Sequence, residues 1–461
     1  MSATKLLDIN ELIENQKLGP FQIGLAALLL LCMFVDGFEA QAPGFAAPAI
    51  VEDWKIPRAS MGLVFGATNL GVMLGALALG FLGDRTGRKR AIVVGCLVLA
   101  FFSVLTMYAG DLATLRLLRL GSGIGVGGVL PSVIALGTEY SPKKYQATMV
   151  WFLLIGYQAG ASSGAIVSTL LIPDYGWQVM FLVGALLPLV TATLVLAALP
   201  ESLRFLSLDN GSRDRVLRLA QRIAPGLTTD GERRIVVHEE SKPGLKLSHL
   251  FADGRAAFTL ALWFVYVANL MALQFLVTWL PTVLESPGVS REEAAIVSVL
   301  LQAGGILGGL VLGRLLDKGS ILPIAAAFAL GVPMVALIGS AGGSEVLLAL
   351  ATFVTGCAIL GGQTNLNAIS GRYYPTFIRS IGVGWANGVG RIGSILGPVV
   401  GGVLIGLDLP VSQLFLFAAI PPLCAALGCF LIARLQSAHS LPAHAGDPGE
   451  RNVRPVQDAL S

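Results

Sequence analysis

Apolar residues in this chain gather into twelve runs of about twenty residues, a length that spans a bilayer core as a helix. Six runs fall at 21–45, 60–82, 91–109, 113–137, 147–171 and 178–199. Six more fall at 256–281, 294–316, 321–340, 345–369, 380–406 and 411–434. The pattern predicts an all-α membrane protein with twelve transmembrane helices in two bundles, 21–199 and 256–434. A polar N-terminus (1–20) and a charged linker (200–255) flank the first bundle. The Pro- and charge-rich tail (435–461) has the composition of a disordered segment.

Composition strengthens this reading. Of 461 residues 54% are hydrophobic and 13% charged, against about 25% charged in soluble domains. The net charge of +3 is small and says little about partners; no nucleic-acid partner is expected of a chain that is mostly membrane. Cys32, Cys96, Cys357, Cys424 and Cys429 all fall in apolar runs without metal-ligand spacing, so they read as small buried hydrophobes. Some twenty mixed-charge residues precede the first run, which is therefore expected to remain as a membrane helix rather than be cleaved as a signal.

Basic residues set the orientation. One set of loops carries Arg85, Arg88, Lys89, Arg90, Lys143, Lys144, Arg314, Lys318, Arg372 and Arg379. The other carries Lys55, Arg58 and Arg291 among a majority of acids. The positive-inside rule then predicts that the linker and both termini are cytoplasmic. The halves also repeat: Gly80-x-Leu82-x-Asp84 ends the second run and Gly313-x-Leu315-x-Asp317 the eighth. Such a duplication predicts a binding site at mid-membrane between the bundles.

Charges inside the runs carry the chemistry. Asp36 and Glu39 stand three residues apart in the first run. A carboxylate at bilayer depth costs about 2.5–3.5 kcal/mol on insertion scales, so intramembrane acids usually line a pathway. Their spacing predicts one shared helix face and proton-coupled transport, against the alternative of a structural ion pair with an arginine. Arg391 lies twelve residues into its run, with Asn387 and Ser394 on the same face. Its guanidinium fork suits a substrate carboxylate, the alternative being permanent pairing with Asp36 or Glu39. Gln363 and Asn367 share a face of the tenth run, which also holds Asn365. Tyr157, Gln158, Asn269, Gln274, Gln302 and Trp385 are weaker candidates, and Phe38, Tyr157 or Trp385 could stack on a ring.

The string GFLGDRTGRKR (80–90) resembles the signature loop between the second and third helices of the major facilitator superfamily. The first helix, DGFEAQAPGFAAPAI (36–50), resembles that of the aromatic acid:H+ symporter family within the superfamily. RLGSGIGVGG (119–128), TEYSPKKYQAT (138–148), PESLRFL (200–206) and the stretch 372–402 fit in the same order. The resemblance covers all but the chain ends. One departure is Glu39, where the family commonly has aspartate; a carboxylate is retained, one methylene longer.

The resemblance implies the superfamily fold and maps functional roles onto Asp36 and Glu39, Gly80 and Asp84, Arg119 and Glu139, and Arg379 and Arg391. Asp36 and Glu39 would carry the coupled proton. Gly80, Asp84, Arg85, Arg88, Glu139 and Arg379 would form a cytoplasmic gate, with Gly80 and Gly83 permitting close helix approach. Arg119 would either bind substrate or act as the electrostatic partner of the helix-one acids, the alternative being an arginine that snorkels to the membrane interface. No nucleotide-binding loop occurs, and no histidine falls inside a run. The fifth run lacks the Gly-Pro motif of drug:proton antiporters. The expected protein is therefore not an enzyme and has no cofactor. It is expected to be a monomeric proton symporter importing a small aromatic carboxylate across the bacterial inner membrane. Transport of another organic acid or solute, efflux, and sensing of the acid without flux are the rival readings.

Overall fold

The computed structural model describes residues 6–8, 19–207, 213–223, 234–236, 247–252, 254–284, 291–316, 320–341, 344–374 and 378–438. Asp317, Lys318 and residues 439–461 lie outside these, so the second copy of the loop motif and most of the tail are not described. Twelve helices among the described residues are long and apolar enough to cross a membrane. They form because a bilayer offers no hydrogen-bond partner to a peptide group, so each spanning segment must satisfy its backbone internally.

The first six are α1 (Pro20–Trp54), α2 (Met61–Thr86), α3 (Arg88–Thr106), α4 (Leu112–Glu139), α5 (Gln146–Tyr175) and α6 (Gln178–Ala198). The second six begin with α7 (Ala256–Leu284), α8 (Arg291–Leu316) and α9 (Leu322–Ser340). Next, α10 runs Glu345–Thr355, then a π turn at Gly356–Leu360, then Gly361–Tyr373. The last are α11 (Arg379–Ile405) and α12, which is interrupted between Val411–Ala418 and Ile420–Ala438. Short helices at Leu203–Ser207 and Arg213–Ile223 follow α6, and Leu6–Asp8 pairs in parallel with Arg234–Val236.

α1 extends nine residues beyond the predicted boundary at 45. Pro43 and Pro48 are accommodated inside it, and the helix stops where Lys55 adopts a left-handed conformation. Proline is tolerated in membrane helices because neighbouring helices satisfy the freed carbonyls.

Glycine sets which helices touch. Gly37 and Gly160 let α1 and α5 meet backbone to backbone at Tyr157 and Phe34, and Gly393 and Gly397 do the same for α11 on α7 at Val267 and Met271. Any side chain there would collide with a carbonyl, so close approach is written into the sequence. The pairs α1–α5 and α7–α11 occupy equivalent places in the two halves. Large apolar side chains such as Leu77, Phe101, Leu117 and Leu170 are exposed on the outside, as a lipid-facing surface requires.

The halves meet at the face opposite the chain termini. There Gly62 packs against Pro398 and Gly402, and the Phe65 and Trp279 rings cross edge-on at 5.1 Å. Arg58 Nη1 donates to the Thr282 carbonyl at 3.4 Å. A cavity between the halves begins beneath this contact. It extends toward the terminus-bearing face, reaching Ile134 near the end of α4 and Ala147 at the start of α5.

Candidate functional site

The cavity has a volume of about 550 Å³, within the usual range for small-molecule sites. α1 contributes Asp36 and Gln41, and α5 contributes Trp151 and Tyr157. From the second half come Gln274 on α7, Gln363 and Asn367 on α10, and Asn387, Arg391 and Ser394 on α11. The predicted polar stripe of α11 thus faces the cavity as one surface.

Arg391 makes no hydrogen bond or ion pair with any described residue, and both carboxyl oxygens of Asp36 are buried without a hydrogen-bond partner. The two groups and Tyr157 line the same space. A cation and an acid therefore face one space from opposite halves, neither neutralised by a bonded partner. A buried charge in that condition is costly, and a ligand carboxylate or a transferred proton would relieve it.

Amides line the rest of the cavity in bonded chains. The Tyr266 hydroxyl and Asn387 Nδ2 both donate to Asn367 Oδ1, at 2.8 and 2.7 Å. Asn269 Nδ2 donates to Gln363 Oε1 at 2.7 Å. Asn365, between the two lining amides of α10, instead donates to the Gly309 carbonyl at 3.0 Å and ties α10 to α8. At the closed end, Gln274 Nε2 donates to Asn69 Oδ1 at 2.7 Å across the two halves.

The expectation that Asp36 and Glu39 share one environment is not met. Positions i and i+3 differ by about 60° around a helix, enough to straddle the edge of an interface. Asp36 faces the cavity, whereas Glu39 faces the interior of the first bundle. Its Oε1 accepts from Ser103 Oγ at 2.9 Å, and its Oε2 lies 3.6 Å from Arg119 Nη1. Arg119 also donates to Thr106 Oγ1 at 2.6 Å and sits over the Phe181 ring at 4.5 Å. Gly184 leaves the space that the Glu39 carboxyl occupies. Arg119 is fully buried in this cluster, does not line the cavity and does not reach the interface, so of its expected roles it has the geometry of the acid's partner.

Three further expectations also change. Trp385 is 45% exposed and stacks on Trp263 outside the cavity, because α11 turns that face outward. Phe38 is buried in the hydrophobic core rather than at the cavity wall. Gly80 has open space where a side chain would sit, whereas Gly83 lies close to Ala91 and Ser132; the halves are apart at this face, so nothing packs on Gly80.

Asp84 is exposed and pairs with Arg88 one turn later. Arg379 Nε donates to the Tyr374 carbonyl at 3.5 Å. Glu139 accepts from Ser202 Oγ at 2.8 Å, and Glu201 Oε1 accepts from the Lys89 amide at 3.0 Å. PESLRFL thereby caps the start of α3 and ties it to the end of α4, a role that reading the string as a family signature did not reveal. Asn69 and Trp151 were also missed. An amide inside the run GATNLGV was the available signal for Asn69; nothing in the sequence marks Trp151.

The Major Facilitator Superfamily profile matches residues 29–376. The 4-hydroxybenzoate transporter PcaK of Pseudomonas aeruginosa is 34% identical over 439 residues, covering 95% of this chain and 98% of its own. The gallate transporter of Pseudomonas putida is 33% identical, covering 91% and 94%. The crystal structure of a D-xylose-proton symporter shares the fold at a TM-score of 0.69 and 14% identity, covering 89% of this chain and 97% of its own. The chain belongs to the Major Facilitator Superfamily and, within it, to the aromatic acid:H+ symporter family whose motifs it carries.

Proposed function

We propose that this protein imports a small aromatic carboxylate together with a proton, by alternating access of the central cavity to the two sides of the bacterial inner membrane. The observation that carries this reading is the unbonded Arg391 guanidinium facing the unbonded Asp36 carboxyl across the cavity. With Asp36 protonated, Arg391 lacks a counter-charge and takes the substrate carboxylate through two parallel hydrogen bonds. After both are released, Asp36 and Arg391 attract each other, and the empty carrier returns without an unpaired charge in the membrane. Tyr157, Gln363, Asn367 and Asn387 complete the polar wall. The similarity to carriers named for 4-hydroxybenzoate, gallate and benzoate supports an aromatic acid as the substrate.

In this reading Glu39 and Arg119 hold α1 against α3 and α4 rather than carry the coupled proton. The bundles 21–199 and 256–434 rock about the cavity as units, the protein works as a monomer, and both termini are cytoplasmic. The cavity described above then faces inward. Gly80, Asp84, Arg85, Arg88, Glu139 and Arg379 belong to the cytoplasmic gate, which closes when the carrier turns outward. Uptake of a panel of labelled aromatic acids into proteoliposomes, with and without an inward proton gradient, tests the proposal. Gradient-driven accumulation of at least one acid is expected; equal uptake without a gradient would overturn proton coupling.

A further inference from the structure

A side chamber of about 160 Å³ opens off the cavity between α5 and α8, sharing Tyr157, Gln274 and Gln363 with it. Its walls mix apolar side chains, Trp151 and Leu154 among them, with several amides. Gln302 on α8 is only 6% exposed, yet its Oε1 has no hydrogen-bond partner. Across from it, Gln158 on α5 makes no side-chain hydrogen bond either. At one side of the chamber Gln274 uses Nε2 on Asn69, which leaves its own carbonyl oxygen unbonded.

Buried amides are normally satisfied, and an unmet acceptor costs about 1–3 kcal/mol. No packing role requires Gln302: an apolar side chain of the same length would fill its place without that cost. Size points to the occupant. A cavity of about 150 Å³ accepts a benzene ring, so this chamber holds one ring and little more. Its apolar walls suit the faces of such a ring, and its unmet acceptors suit hydroxyl groups on the rim. Arg391 lies outside the chamber, in the main cavity, and Tyr157 lines both spaces.

We propose that the chamber between α5 and α8 is the ring subsite, in which Gln302 Oε1 accepts a hydrogen bond from a ring hydroxyl of the substrate while Arg391 holds the carboxylate. The inference rests on the aromatic-acid reading above and narrows it to hydroxylated acids. A hydroxyl-free ring would enter the same space and leave Gln302 unsatisfied, so the chamber discriminates by a bond the wrong ligand fails to make.

The test is equilibrium binding of benzoate and the three monohydroxybenzoates to the purified full-length protein, by quenching of tryptophan fluorescence. The parent is expected to bind at least one hydroxylated isomer about five- to tenfold more tightly than benzoate, the worth of one net hydrogen bond. In Gln302→Met, which keeps length and removes the acceptor, that ratio should collapse toward one. Gln158→Leu provides a second variant should Gln302→Met fail to fold, and it should reduce the ratio in the same direction. A parent that binds both classes, with a ratio unchanged in both variants, overturns the ring subsite alone. A parent that binds no aromatic acid overturns this inference together with the aromatic-acid reading.

Discussion

Gln274 on α7 donates to Asn69 on α2 at 2.7 Å, a side-chain hydrogen bond joining the two halves at the closed end of the cavity. Asn69 is held for this role by its own donation to the Phe65 carbonyl at 3.1 Å, which leaves its oxygen pointing at the partner. Losing one such bond is worth about 1 kcal/mol, or about fivefold in a two-state equilibrium. Gln274→Leu should therefore shift the carrier toward opening at the face opposite the termini. A Thr68→Cys reporter in the cavity should then react several-fold faster with a membrane-impermeant thiol reagent added on that side; an unchanged rate would show that the bond does not hold this end closed.

Substitution should separate the two acids of α1 by kind of defect. Asp36→Asn removes the unbonded carboxyl, so accumulation driven by a proton gradient should be lost while the protein folds and inserts. Glu39→Gln breaks a buried pair and leaves Arg119 uncompensated, a class of change that costs about 3–5 kcal/mol. Its main effect should be a lower melting temperature in detergent. Full gradient-driven accumulation by Asp36→Asn would end the proton assignment.

Arg391→Lys keeps a positive charge but loses the planar fork. Charge-assisted hydrogen bonds are worth about 1.5–3 kcal/mol each, so binding of an aromatic acid should weaken by about ten- to a hundredfold. Titration of the purified variant decides the matter: affinity equal to the parent's would mean that the carboxylate is held elsewhere.

Asp84→Asn should barely alter stability, because the Asp84–Arg88 pair is exposed and such pairs contribute about 0–1 kcal/mol. Its effect should appear in turnover, since the loop is assigned to the state in which the terminus-bearing face closes. A well-expressed variant with parental transport rates would reduce the loop to an orientation signal.

Gly184→Ala places a methyl group where the Glu39 carboxyl lies. Overpacking of this kind costs about 1–3 kcal/mol. Thermal unfolding should reveal the loss, and Gly80→Ala, in open space, serves as the neutral control.

The helices were legible because a membrane span must be long, apolar and internally hydrogen-bonded, and those demands leave their record in every run. Asp36, Arg391 and the Asn387–Ser394 stripe were legible because polar groups survive at that depth only with a use. The parting of Asp36 from Glu39 was not, since a 60° offset matters only once the positions of α3, α4 and α6 are known. Trp385 illustrates the same limit: an aromatic in a spanning helix suits lipid and cavity equally, and only the rotation of α11 decides. Gly80 failed for a different reason. It stands where nothing packs against it in this structure, so its lack of a side chain serves no contact seen here.

The π turn at Gly356–Leu360 inserts one residue into the winding of α10 before Gln363 and Asn367 are reached. Each residue of a regular helix advances about 100°, so that single extra residue re-aims everything downstream of it. Were the same residues wound as a regular α-helix throughout, both amides would turn by about 100° from their present aim, with every cavity-lining side chain still encoded. The aim of this wall is therefore held in the winding of a single turn rather than in the identities of the residues that line the cavity.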